Sequence, residues 1–206
     1  MPREAFSSIY ELAADQFGYF TTAQAHELGV DRMAVVMMER RGTIERVSRG
    51  VYRLLQFPVE PEGQYMEASL WPRGTTAVVS HESALALFEL SDVDPVRIHI
   101  TVPKNFRVRR GVPARLAIHH ADLPESDQTL HNGIPVTTVS RTLRDCRAAK
   151  LGNEVLRTAL LQAEREGWLT RADAAQLYDE LGLTHENEKA SEFSARSKPV
   201  GRRLRS

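Results

Sequence analysis

His99, His119 and His120 are the residues whose type first suggests chemistry, because neutral imidazole is the commonest metal ligand. No CxxC or HExxH accompanies them. Alternating strands would set such side chains on a wet face, so no metal site and no cofactor is assigned. Cys146 is the only cysteine, which excludes an internal disulfide framework, and it reads as a small core residue rather than a nucleophile. His81-Glu82 and Arg141 with Asp145 stand at helix starts, where capping and ion pairing account for them. GxGxxG, Walker and GxSxG motifs are all lacking, and no catalytic residue is assigned.

The arginines carry a stronger signal. Net charge is zero, with 27 basic and 27 acidic residues, yet the two signs are segregated. Residues 32–53 hold six arginines against two glutamates, and residues 95–121 hold six basic residues and no acid. The last thirteen residues hold five basic residues and no acid. Guanidinium groups grouped this way suit phosphate or carboxylate partners. Arg32, Arg40, Arg46 and Arg49 are the candidate DNA contacts, each adding salt-dependent, sequence-blind affinity.

The elements that must position these arginines are local. A first helix is expected over about Arg3–Asp15, with Phe6, Ile9, Tyr10, Ala13 and Phe17 as its buried stripe. Thr21 or Thr22 caps a second helix that ends at Gly29, and Asp31 caps a third that Gly42 stops. Val35, Met38, Leu28 and Val30 would close that core. Ile44 to Leu54 alternates as two strands around Ser48-Arg49-Gly50. Two helices at a glycine turn followed by a basic hairpin is the order of a winged helix-turn-helix. On the third helix Arg32, Met33, Val36, Met37 and Arg40 would face outward. The apolar members among them can touch only thymine methyls, not base hydrogen-bonding edges.

Residues 56–63, with two prolines and a glycine, read as a linker that divides a winged-helix unit (1–57) from a mixed α/β unit (64–183). In the second unit a short helix over Tyr65–Trp71 precedes a strand over Thr75–Val79. Ser80 caps a helix over His81–Leu90. Strands follow at Val96–Val102, Leu116–His120 and Ile134–Val139, and Ser140 caps the next helix. From Asn153 the pattern is helical, with a break at Gly167 and a restart at Thr170. Residues 184–206 read as a basic, disordered tail. The fold class expected is α+β: a winged helix-turn-helix, a mixed α/β domain and C-terminal helices. With no long apolar run and no signal core, the chain is expected in the cytoplasm, with no membrane partner.

In this order of parts the chain resembles the AbiEi family, the antitoxins of a bacterial abortive-infection toxin–antitoxin system. The resemblance rests on Gly18-Tyr19-Phe20-Thr21-Thr22-Ala23-Gln24-Ala25 and on Arg49-Gly50-Val51-Tyr52-Arg53. It continues in Ser80-His81-Glu82-Ser83-Ala84-Leu85-Ala86-Leu87, Ile98-His99-Ile100-Thr101-Val102-Pro103 and Gly133-Ile134-Pro135-Val136-Thr137-Thr138-Val139-Ser140-Arg141-Thr142-Leu143. It implies a winged helix that represses its own operon at inverted repeats, with Arg32, Arg40, Arg46 and Arg49 in the positions of the recognition helix and wing. It also implies a second domain that antagonises a co-encoded nucleotidyltransferase toxin. For such a partner, the basic cluster Arg107, Arg109 and Arg110 is the expected contact, pairing with acidic metal-binding residues. Two alternatives stay open: neutralisation by covalent modification of the toxin, such as phosphoryl transfer, and a stand-alone repressor. A homodimer is left open as well.

Overall fold

The structure is a computed structural model and describes residues 2–108 and 111–183, with side chains from residue 6. The predicted tail, 184–206, lies outside the described residues, as do Arg109 and Arg110.

The chain opens with α1 (Pro2–Ala14), β1 (Tyr19–Thr21), α2 (Thr22–Glu27), α3 (Arg32–Arg40), β2 (Ile44–Ser48) and β3 (Val51–Leu54). Local chemistry sets these boundaries. The Thr21 hydroxyl accepts from the Gln24 backbone N–H while the Gln24 side chain accepts from the Thr21 N–H, a complete capping box. The Asp31 carboxylate accepts from the Ala34 N–H at 2.7 Å. Gly29 and Gly42 end the two helices at φ +76° and +70°, where a side chain would be strained. β3 is the middle strand of a three-stranded antiparallel sheet in the order β1-β3-β2, so Tyr19-Phe20-Thr21 adds a strand to the expected hairpin. Ile9, Ala13, Phe20, Ala25, Val30, Val35, Ile44, Tyr52 and Leu54 form the core beneath it. This is the winged helix-turn-helix. Two expected core members are displaced outward: Leu28 and Tyr10 are 43% and 42% exposed, and Tyr10 rests on Phe57 with ring centroids 5.0 Å apart.

The second part is built on a five-stranded mixed sheet, β6-β5-β4-β8-β7. Its strands are β4 (Val78–Val79), β5 (Ile98–Val102), β6 (Leu116–His120), β7 (Gln128–His131) and β8 (Ile134–Thr137). Its helices are α4 (Gly63–Leu70), α5 (His81–Leu87), α6 (Val139–Ala148), α7 (Asn153–Arg165) and α8 (Arg171–Glu180). β4 is shorter than its apolar run suggests, and Val96 is 98% exposed, outside β5. Ile98, Ile100 and Val102 alternate onto one face and pack with Leu116 against Ala68 and Trp71. His99 and Thr101 take the other face, where α5 lies.

Two expected caps are reassigned. Ser80 makes no capping bond to α5; its hydroxyl accepts from Thr101 Oγ1 at 2.8 Å and lies 2.9 Å from His81 Nδ1. Thr138, not Ser140, caps α6, its hydroxyl accepting from the Arg141 N–H. The expected pairing of Arg141 is present: Nη1 donates to Asp127 and Nε to Asp145, each at 2.9 Å. Arg144 makes a two-pronged bond to Glu180, joining α6 to α8 at 2.7 and 2.9 Å.

The two parts share apolar packing, with Tyr19 and Val51 in the same cluster as Met66, Leu70 and Leu85. The β7–β8 hairpin makes a second joint. Asn132 and Gly133 turn it at φ +49° and +81°, and a Cβ on Gly133 would lie 2.7 Å from the Asp15 carbonyl oxygen. Gly133→Ala is therefore expected to cost about 2 kcal/mol from the left-handed conformation alone. A thermal melt of the full chain measures it, and an unchanged Tm would contradict the left-handed turn at Gly133.

Candidate functional site

The wing and α3 carry the candidate DNA contacts. Arg32 and Arg40 are exposed at the two ends of α3, Arg46 is exposed on β2, and Arg49 is exposed at the wing tip. Arg46 Nε makes a long bond, 3.4 Å, to the Ser48 carbonyl. Arg53, in the same basic run, is withdrawn from the surface. It is 8% exposed, donates to Glu45 at 2.8 Å and to the Phe57 carbonyl at 3.0 Å, and so fastens the sheet to the following segment. Along α3, Met33 is 66% and Met37 37% exposed, while Val36 is half-buried and Val35 buried. The outer face is apolar with a guanidinium at each end, a surface suited to thymine methyls between phosphates.

The wing tip does not stand alone. Arg49, Gly50 and Val51 line a cleft of about 530 Å³ with Thr21, Thr22, Trp71 and Arg73. Arg49, Trp71 and Arg73 also line an adjoining cleft of about 630 Å³ with Phe106 and Arg107. Tertiary structure thus brings Arg49 from the predicted DNA set beside Arg107 from the predicted toxin set, and adds Arg73. Gly50 permits this approach: a Cβ there would lie 3.2 Å from Thr22 Oγ1 and 3.7 Å from an Arg73 guanidinium nitrogen. Arg32 and Arg40 do not line either cleft. Sequence reasoning does not single out Arg73; the signal available was the Trp71-Pro72-Arg73-Gly74 turn, a basic residue on a punctuated loop. The basic segment 97–115 also loses a member to the fold, because Arg115 pairs with Glu67, which is 5% exposed.

The histidines fall differently from expectation. His120 is exposed, but His99 and His119 are half-buried beneath the start of α5, which covers the face expected to be wet. His81 joins them. His99 Nδ1 lies 3.1 Å from His119 Nε2, and the His81 ring stacks on His119 with centroids 3.6 Å apart. Burial drives all three imidazoles toward the neutral form. His81 falls to about 3 and His119 to about 4, with the neighbouring histidines adding to the effect. His99 is lowered too, mainly by burial, with Glu82 opposing. Burial also raises the Cys146 thiol, leaving it an inert core group.

A folded-state pKa below the unfolded value means that the unfolded chain binds more protons, so stability falls as pH drops below about 6.5. The groups facing this cluster are Glu82, Arg97, Arg141 and His120; only Glu82 favours the charged imidazole. Going from pH 7 to pH 5 in EDTA is expected to remove on the order of 3 kcal/mol of stability. Denaturant melts at both pH values test this, and His119→Asn should shrink the loss.

Residues 7–55, which run from within α1 through β3, match the family described as transcriptional regulator, AbiEi antitoxin. Over this segment, about a quarter of the chain, the protein is similar to the AbiEi antitoxin regulators. The matched AbiEi segment contains every candidate DNA contact and the whole of the wing. No curated protein matches the chain. Among solved structures it is similar to the RV2827C protein from Mycobacterium tuberculosis, at a TM-score of 0.40 and 16% identity, covering 90% of this chain and 83% of that one. Among the described residues, no helix is long and apolar enough to cross a membrane.

Proposed function

We propose that this protein is an AbiEi-type antitoxin that neutralises a co-encoded nucleotidyltransferase toxin in the cytoplasm and represses its own operon. Residues 1–57 bind operator DNA with inverted repeats, and residues 64–183 act on the toxin. The observation that carries the DNA half is the exposed wing, with Arg46 and Arg49 leading into a positive-φ Gly50 inside the family-matched segment. Arg32 and Arg40 add phosphate contacts from the ends of α3. Val36 and Met37 contribute little hydrogen-bonded readout, so operator choice leans on methyl contacts and DNA shape.

For the toxin half, Arg107, Arg109 and Arg110 pair with carboxylates that a nucleotidyltransferase uses to hold its metal, excluding substrate. The test is co-expression with the product of the adjacent gene, pull-down of both chains and measurement of both masses, alongside a mobility shift on DNA upstream of the gene. A stoichiometric complex with unmodified toxin is expected. No complex, with a stable mass increase on the toxin, would overturn direct binding in favour of covalent modification. No effect on the adjacent product at all would leave a repressor alone.

A further inference from the structure

Three imidazoles from three elements meet under the start of α5. His81 opens that helix, His99 lies in β5 and His119 lies in β6, and one ring nitrogen from each falls within 4.8 Å of the others. We propose that His81, His99 and His119 form a binding site for a divalent transition-metal ion, with zinc the best match.

The ligand set is the first argument. Neutral imidazole suits zinc, and three protein ligands with a fourth position open is a common zinc arrangement. Tautomer and orientation are the second. His81 Nδ1 can donate to Ser80 Oγ, which also accepts from Thr101 Oγ1; this leaves His81 Nε2 as the lone-pair nitrogen. His99 turns Nδ1 toward His119 Nε2 and its other nitrogen, Nε2, toward Glu82, whose carboxylate lies 4.0 Å away. A carboxylate behind a ligating histidine orients the ring and raises its basicity.

Distance is the third. In a tetrahedral site, zinc–nitrogen bonds of about 2.1 Å hold pairs of ligand nitrogens roughly 3.4 Å apart. The His99–His119 pair, at 3.1 Å, is close to that spacing. The His81 ring, stacked on His119, must swing out of the stack so that its nitrogen turns toward the other two. Its backbone supplies the fourth argument: His81 is a non-glycine residue at φ +54° on the first turn of a helix, an uncommon conformation of the kind that collects at functional sites. Bound there, the ion would tie β6, an edge strand, to β5 and to α5. Water would complete the shell.

The experiment uses the full chain, stripped with EDTA and dialysed, then titrated with zinc chloride against a chromophoric chelator. One equivalent is expected to bind with submicromolar Kd and to raise Tm. His99→Gln and His119→Gln should each weaken binding about 100-fold or more, while His120→Ala, one position along β6, should change it less than twofold. His81→Asn keeps a residue tolerant of positive φ and should weaken zinc like the other two. Cobalt supplies a readout that needs no variant, since a tetrahedral nitrogen site gives intense visible absorption. No stoichiometric uptake, equal loss in His120→Ala, or a weak octahedral cobalt spectrum would each overturn the site.

Discussion

Replacing Arg107, Arg109 and Arg110 together with Glu is expected to abolish protection of cells from the partner toxin while the chain stays folded. The reason is the sign and the size of the change: three charges are reversed at once, and like-charge juxtaposition at an interface costs several kcal/mol. Arg107 is exposed, with long hydrogen bonds to the backbone carbonyls of Lys104 and Phe106 at 3.3 and 3.5 Å, so its reversal breaks no ion pair among the described residues. The control is Arg115→Glu. That change strikes the Glu67 partnership and should lower Tm, whereas the triple variant should not. Growth of toxin-expressing cells and a thermal melt of each variant decide it. Full protection by the folded triple variant would sink the electrostatic account of neutralisation.

The second large effect is expected on DNA. Arg46→Ala with Arg49→Ala should weaken binding to operator and to unrelated duplex alike, on the order of 50-fold at 0.1 M salt if both arginines contact phosphate. The slope of log K against log salt should shrink by about 1.8, since each lost contact withdraws about 0.9. A loss confined to operator DNA would instead mean that the wing reads bases. Arg73→Ala extends the measurement. Arg73 and Arg49 line the same clefts, so Arg73 should behave as a wing residue although it lies outside the winged helix. If Arg73→Ala leaves the salt slope unchanged, the phosphate path stops at the wing.

How much could be read in advance follows the range of the forces involved. The winged helix was legible because its boundaries are short-range. The Thr21 cap (one of two candidates, completed by Gln24 into a capping box), the Asp31 cap and the glycines at 29, 42 and 50 each act across a few residues and stand within the expected segments. The third strand was missed at Tyr19–Thr21, where three residues are too few to show alternation and only pairing with Val51–Arg53 defines them. β7 was missed too, although Asn132-Gly133 is a strong hairpin dipeptide; its strand is mostly exposed and lacks an apolar face. Ser80 and Ser140 were plausible caps by spacing alone. They lost the role because Thr101 reaches Ser80 from a strand 21 residues on, and because Thr138 leads α6 two residues earlier.

The sequence by itself determined the class of fold, the winged helix and the segregation of positive charge, since composition and capping need no knowledge of long-range contacts. Tertiary structure decided which charges act together. It buried Arg53 and paired Arg115, while setting Arg49, Arg73 and Arg107 on adjoining clefts. It decided the histidines in the same way. His119 and His120 are neighbours in sequence but take opposite faces of β6, because side chains alternate along a strand. The parallel register of β5 with β6 then sets His119 across from Thr101 and near His99, and α5 delivers His81 from above. Registers of this kind depend on contacts between segments far apart in the chain, and no local pattern encodes them.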